Sequence, residues 1–180
     1  MRLLLLLCAT VALSGCSHYV PGMHPLLVIS ENFRGEVLLC RDKDHGVLWT
    51  GEPLVVPPSG VIRVSNLEAL ARIRPDAYNA RYASGRKIGN RNRGGNWNVV
   101  GLWPLSVLET EGEPQLVCLV IGTWDEKTEY ENYRIMHGWK ATLESIRSGK
   151  EPIQAPEPTP LAVTPRADAR VAPSSVVAHL

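Results

Sequence analysis

The sequence predicts an α+β domain, mainly an antiparallel β meander or small sandwich with a C-terminal amphipathic helix. From Leu26 onward, short apolar runs rich in Val, Ile and Leu alternate with clusters of turn residues, which is typical of strands. A later segment changes to helical spacing behind Thr123 and Glu126. The chain has 180 residues, a formal net charge of +1 and 44% hydrophobic residues, as expected for one modest domain with additional segments. The near-neutral charge provides no electrostatic drive toward nucleic acid.

The first strands are predicted in two apolar runs, LLVIS and GEVLLC, which the polar ENFRG separates. RDKDHG follows as a polar turn and VLWTG as a candidate strand. PLVVPPSGVIRVS contains two more strands around a Pro-Pro-Ser-Gly turn. Because consecutive runs are short and joined by turn residues, we expect them to pair as neighbours in a meander.

The middle of the domain is predicted to hold one short helix and one long loop. SNLEALARIRPD has helical spacing, Ser65 and Glu68 fit a capping box, and Pro75 stops the run. Residues 77–98 lack clear periodicity and are rich in Gly, Asn and Arg, which favours a loop. Apolar strands return in VVGLWPLSVLE and PQLVCLVIGT, with ETEGEP as the turn between them.

The final element is predicted to be a helix that begins at a capping box of Thr123 and Glu126 and ends at Gly149. Its apolar face comprises Tyr133, Met136, Leu143 and Ile146, and Gly138 weakens the middle of the helix. Such a helix is expected to pack across the sheet. The globular domain therefore spans residues 26–149, and the proline-rich residues 150–180 are expected to form a disordered tail.

The N-terminal segment has the organisation of an export signal. Arg2 is followed by an apolar run, Leu3 to Leu13, which is too short to cross the hydrocarbon core as a helix. The run closes on LSGCS, which resembles the lipobox of bacterial lipoproteins. The resemblance implies that residues 1–15 are a signal peptide, that Cys16 is lipidated after cleavage, and that residues 16–25 are a tether.

The lipobox resemblance also implies where the chain resides. A lipobox cysteine carries a diacylglyceryl group and usually a further acyl chain such as palmitate, and two or more chains anchor a protein stably. Ser17 in place of aspartate favours the outer membrane, with the domain facing the periplasm. The alternative is an ordinary cleaved signal in which the cysteine is incidental.

A second resemblance covers roughly Leu26 to Tyr133. ENFRGEVLL, VVPPSGVIRV and CLVIGTWDEKTEY are similar to a domain of uncharacterised bacterial lipoproteins. The shared motifs are short: a Gly-x-Val strand, a Pro-x-x-Gly-x-Ile/Leu turn and a late Gly-Thr followed by acidic residues. The resemblance implies a small β-rich envelope domain and transfers no active site.

Four cysteines are present, of which Cys8 belongs to the leader and Cys16 is the lipidation candidate. Cys40 and Cys118 remain as an even pair in a compartment where disulfides persist. One interpretation is a bridge between two strands, which would close a long loop. The other is two buried free thiols that pack as small hydrophobes.

No catalytic motif occurs in the sequence. The serine elbow G-x-S-x-G, the H-E-x-x-H metal motif, the P-loop and a dinucleotide-binding turn are all absent. His45 lies at a polar turn and is interpreted as a solvated side chain rather than a general base. His18, Met23 and His24 cluster near the anchor without a cysteine pair to complete a metal site. We therefore expect no enzyme activity, no cofactor and no metal.

Residues 81–93 contain the one local concentration of positive charge: Arg81, Arg86, Lys87, Arg91 and Arg93. Arginine binds phosphate or carboxylate through two parallel hydrogen bonds, and glycine allows backbone N–H groups to approach an anion. Arg86, Lys87, Arg91 and Arg93 are the candidate anion-binding residues. The alternative is a solvated surface loop.

Three functions are compatible with these observations. The first is a lipid-anchored bacterial cell-envelope protein whose domain has a non-enzymatic structural or binding role, with the membrane and an envelope protein or anionic glycolipid as partners. The second is a binding module for lipopolysaccharide, phospholipid or peptidoglycan through the arginine-rich segment. The third is an envelope enzyme of an unrecognised class.

Overall fold

A computed structural model describes residues 24–91 and 96–156. The predicted signal peptide, Cys16, Arg93 and the predicted tail beyond residue 156 lie outside the described residues. The described chain forms eight strands and three α-helices: β1 (Leu26–Ile29), β2 (Gly35–Arg41), β3 (Leu54–Val55), β4 (Val61–Val64), α1 (Leu67–Ala71), β5 (Asn79–Tyr82), β6 (Lys87–Asn90), β7 (Gly101–Thr110), β8 (Glu113–Gly122), α2 (Trp124–His137) and α3 (Lys140–Arg147).

The strands form one nearly closed sheet in the order β3-β1-β5-β6-β7-β8-β2-β4. Four neighbouring pairs are parallel, namely β1 with β3, β1 with β5, β2 with β4 and β6 with β7. The predicted α+β class and the C-terminal helix are found, whereas the antiparallel meander or small sandwich is only partly matched. β5 with β6, β7 with β8, and β2 with β8 pair antiparallel. β1 and β2 follow one another in sequence, but they are not neighbours in the sheet, so the loop between them is not a hairpin.

The main core lies inside the curled sheet. Every strand contributes at least one inward apolar side chain, for example Leu27, Leu39 and Leu119, all fully buried. Leu67 and Leu70 of α1 join the same cluster and are also fully buried. Because side chains alternate between the two faces along each strand, the residues between the inward ones lie on the outer face of the sheet.

The outer face of the sheet differs between its two halves. On β2 and β8, outward side chains such as Cys40 and Cys118 are covered by Ile146 of α3 and by Trp139. On β1, β3, β5 and β6, the outward side chains within the described chain are exposed or half-buried: Leu26, Val28, Val55, Asn79, Arg81 and Lys87. One half therefore packs against helices, while the other presents a largely open surface.

The predicted long loop contains a β-hairpin. β5 and β6 pair antiparallel through Ala80–Ile88 and Arg81–Lys87, and the turn between them contains Gly85. The capping box predicted at Ser65 is also wrong, because α1 begins after Asn66 and no side chain caps it. The Asn66 side chain is engaged with Trp49, accepting from its backbone N–H and donating to its carbonyl.

The C-terminal helix is confirmed at its start and corrected in its middle. Thr123 and Glu126 form the predicted reciprocal capping box. Gly138 has φ 68, ends α2 and separates it from α3, so the predicted single helix is two. Met136, assigned to the apolar face, is 76% exposed, and Tyr130 and Arg134 are the buried residues of α2.

Candidate functional site

The predicted basic residues that the structure describes lie at two different places along β6. Arg86 and Lys87 lie at the β5–β6 turn, whereas Arg91 follows the other end of β6. The Arg86 guanidinium lies 3.6 Å from a Glu31 carboxylate oxygen and 4.3 Å from the centre of the Tyr82 ring. Arg86 therefore already has a counter-ion.

Glu31, the partner of Arg86, is itself held by the turn between β5 and β6. The side chain and the backbone N–H of Ser84 donate hydrogen bonds that lower the pKa of Glu31, so its carboxylate stays charged beside Arg86.

Arg91 has a structural role. Its Nη2 donates hydrogen bonds of 3.0 Å to the carbonyl oxygens of both Val99 and Val100. The side chain passes directly over Gly101, where an added Cβ would lie 2.3 Å from the Arg91 Nε. Arg91 thus stabilises the loop that leads into β7. Arg93 lies outside the described residues.

Among the basic residues of this segment that the structure describes, Arg81 and Lys87 are brought side by side by the fold. They are directly opposite each other in the β5–β6 register and both point outward. Within the described chain neither has an ion-pair partner or a side-chain hydrogen bond. The same row continues across β1 and β3 through Val28 and Val55, of which Val55 is 71% exposed. We call the outward side chains of β3, β1, β5 and β6 the open face.

A cleft of about 690 Å³ in the described chain is lined by charged side chains, several of which form ion pairs. Arg41 lies 2.6 Å from Glu68 and 2.9 Å from Glu113, and Arg63 lies 3.4 Å from Asp42. The backbone N–H of His45 donates to Asp42 and lowers the pKa of that carboxyl.

The ion pairs of this cleft stabilise the local fold. The His45 side chain is largely exposed, as predicted for a solvated loop residue. Asp44 and Arg147 also line the cleft and lie outside the ion pairs named above.

A buried polar network joins β2, both C-terminal helices and the segment after them. The side chains of Glu36 and Arg134 are 1% and 4% exposed and form a two-pronged ion pair. Arg134 also donates 3.0 Å hydrogen bonds to the Thr142 hydroxyl and the Ile153 carbonyl, and its guanidinium lies 4.2 Å from the centre of the Trp139 ring.

Residues 151–156, which the sequence assigns to the tail, are packed through this network. The backbone N–H of Ala155 donates 2.9 Å to the Glu36 carboxylate, and Pro152 and Ala155 are buried. Thr142 donates 2.8 Å to the Ile153 carbonyl. The packed domain therefore continues to residue 156. The sequence did not predict this network, because its ion pair joins residues that are 98 positions apart.

Three tryptophans form a cluster at the start of α2. The ring centres of Trp97 and Trp124 are 4.7 Å apart, and both rings contact Trp103 at 5.5 and 5.3 Å. Trp103 is buried and donates 2.8 Å to the Gly122 carbonyl, whereas Trp97 is 50% and Trp124 39% exposed. The backbone N–H of Trp124 donates to the Trp97 carbonyl, so the cluster fastens the loop before β7 to the first turn of α2.

Cys40 and Cys118 lie on neighbouring antiparallel strands and are free thiols in this structure. Cys40 is opposite Leu116 and Cys118 opposite Leu38, so the two thiols are diagonal neighbours on the outer face beneath α3. Burial raises the pKa of Cys40 to about 12 and raises that of Cys118 well above its ordinary value. A bridge between them stays a prediction.

Within residues 24–91 and 96–156, no group of three or more His, Cys, Asp or Glu side chains is arranged to hold a metal ion. None of the helices in the same part of the chain has the length and apolar character needed to span a membrane.

Comparison with known proteins identifies no family for this chain. No protein-family model matches it, and no curated protein matches it. One solved structure, named "Putative Lipoprotein from Bacillus anthracis", aligns with 12% sequence identity over 56% of this chain and 70% of that chain, with a TM-score of 0.34. A TM-score at this level does not show a common fold.

Proposed function

We propose that this chain is a lipid-anchored protein of the bacterial cell envelope, with a non-enzymatic domain that supports or binds another envelope component. The LSGC motif ending at Cys16 carries the proposal, since it places a lipidation cysteine directly after an apolar leader. Ser17 assigns the protein to the outer membrane, with its domain in the periplasm.

Metabolic labelling with a fatty-acid probe in the native host tests the anchor. The wild-type protein is expected to incorporate the probe and to fractionate with membranes. Cys16→Ser should leave an unlabelled, uncut precursor. Cys8→Ser is the matched control, because Cys8 lies within the leader, and it should be labelled and processed normally. An unlabelled wild-type protein, or a Cys16→Ser variant that is cut and labelled, would refute the proposal.

A second candidate function is a binding module for anionic envelope components. The observation that favours it is the Arg81–Lys87 pair, two neighbouring cations without a counter-ion in the described chain. This pair replaces the predicted set of Arg86, Lys87, Arg91 and Arg93, because Arg86 and Arg91 are already engaged.

Retention on isolated envelope material tests the module. Retention should decrease with salt, because exposed charges are screened, and it should weaken in the double variant Arg81→Gln/Lys87→Gln. A control that removes the same charge from α3, Lys140→Gln/Arg147→Gln, should be retained like the wild type. Equal, salt-insensitive retention of all three proteins would exclude the module.

A further inference from the structure

We infer that the open face is the side of the domain that lies on the phospholipid surface holding the anchor, with Arg81 and Lys87 against lipid phosphates. The inference rests on the proposed lipid anchor and adds to it an orientation, a surface and a lipid chemistry. Three observations carry it: the charge pattern of the face, its exposed apolar residues, and the place where the tether enters the fold.

The charge pattern of the open face lacks an internal explanation. Like charges directly opposite each other on neighbouring strands destabilise a sheet, yet Arg81 and Lys87 occupy such positions. The outward side chains of the four strands include no carboxylate: Leu26, Val28, Val55, Asn79, Arg81 and Lys87, with Gly89 providing none. The nearby Glu31 is engaged by Ser84 and Arg86. An external anion would therefore supply the missing counter-charge.

The other half of the open face is apolar. Val55 is 71% exposed, and Val28 and Leu26 are half-buried on the adjacent strand. Val28 is directly opposite both Val55 and Arg81, so the apolar and basic residues form one continuous surface. Long basic side chains beside apolar ones suit a lipid interface, where the charged ends reach phosphates and the stems contact apolar surface.

The tether enters the fold at the start of β1, which is a strand of this face. Leu26 begins β1, which pairs with β3 on one side and with β5 on the other. Leu26 lies ten positions after Cys16, and ten residues span at most about 33–36 Å when fully extended. A compact domain of this size is about 35 Å across.

The length of the tether and the position of β1 together select this face. β8, which α2 and α3 cover, lies four strand positions from β1 in the nearly closed sheet, on the far side of the domain. That side could contact the bilayer only if the tether were fully extended. The open face can contact the bilayer when the end-to-end length of the tether is shorter.

The expected effect can be estimated from the two charges. One basic residue close to an anionic membrane surface increases the equilibrium constant for contact between the open face and the bilayer by about fivefold. Two basic residues together increase it by about 30-fold. The orientation should therefore depend on anionic lipid and weaken as salt increases.

The test uses the mature, full-length lipidated protein in vesicles of phosphatidylcholine alone or with phosphatidylglycerol. Lysine acylation is followed by mass spectrometry, and the rate at Lys87 is compared with that at Lys140, which is 89% exposed on α3. Lys87 should react at least fivefold more slowly on the anionic vesicles, with high salt restoring its rate, while Lys140 reacts equally on both. Equal Lys87 rates on both kinds of vesicle would overturn the inference.

A variant pair separates contact with phosphates from general shielding. Arg81→Gln removes the neighbouring charge and should relieve much of the protection of Lys87 on anionic vesicles. Arg147→Gln removes one positive charge from α3 and should leave that protection intact. Equal protection in Arg81→Gln and wild type, or protection as strong on neutral vesicles, would contradict the phosphate contact.

Failure of the anchor and failure of the face give different results. Sedimentation with both kinds of vesicle at high salt reports the acyl chains, since charge contacts are screened there. A protein that remains in the supernatant in both cases refutes the anchor and the inference with it. A protein that sediments in both cases but shows no protection of Lys87 refutes the face alone.

Discussion

The buried ion pair between Glu36 and Arg134 leads to the strongest stability prediction. Arg134→Met removes the guanidinium and leaves the Glu36 carboxylate buried, with the Ala155 N–H as its remaining hydrogen-bond donor among those described above. Removing one partner of a buried ion pair costs about 3–5 kcal/mol, because the other charge remains without compensation. We expect the free energy of unfolding to fall by that amount.

Lys140→Met is the matched control. Lys140 pairs with Glu144 at 4.0 Å, but both side chains are largely exposed, and pairs of this kind on a helix contribute about 0.3–0.5 kcal/mol. Each variant replaces one basic side chain with methionine, on α2 in one case and on α3 in the other. The difference between them therefore reports the loss of the buried network, in which the Arg134 guanidinium also contacts Thr142, Ile153 and Trp139.

Urea unfolding followed by tryptophan fluorescence measures both effects. With a slope of about 2 kcal/mol per molar urea, Arg134→Met should lower the midpoint by about 1.5–2.5 M, and Lys140→Met by about 0.2 M. If Arg134→Met does not fold, the double variant Glu36→Leu/Arg134→Met should recover a cooperative transition, since apolar replacement of a buried pair is often neutral. A midpoint for Arg134→Met equal to that of the control would refute the reasoning.

Two further predictions concern other positions in the fold. The pKa of Cys40 is raised to about 12 and that of Cys118 is also raised, so both thiols should be protonated at pH 8 and resist alkylation in the native protein. Both should react once the protein is unfolded in urea. If they react in urea only after reduction, the two cysteines form the disulfide bridge instead. Gly60→Ala should destabilise the domain by more than Gly112→Ala. Both glycines have φ above 70, but only at Gly60 would the new Cβ lie 2.3 Å from the Glu36 carbonyl oxygen. Equal urea midpoints for the two variants would contradict this.

Local signals in the sequence predicted the elements that depend on neighbouring residues. The capping box at Thr123 and the hairpin of β7 and β8 both follow from residues close together in the chain. The β5–β6 hairpin carried such a signal as well, because Ala80, Tyr82 and Ile88 alternate with outward residues. Its composition of Gly, Asn and Arg concealed that alternation.

The parallel pairings could not be predicted in this way. β1 joins β5 across 53 positions in sequence, and the register of Leu26 with Asn79 depends on inward packing of the whole sheet. The separate contacts of Arg86 and Arg91 were hidden for the same reason. Arg86 and Arg91 are close in sequence, but β6 lies between them, so one pairs with Glu31 and the other braces the loop before β7.

The points at which the described chain leaves the fold determine how the domain would bear mechanical load. A pull on the segment before Leu26 enters β1, which has a strand on either side, and a pull on residues 151–156 passes through the Ala155–Glu36 contact into β2, which lies between β8 and β4. Neither force acts first on an edge strand, where unzipping would begin. A domain stretched between a membrane and a partner on its tail would thus resist extension through its interior strands.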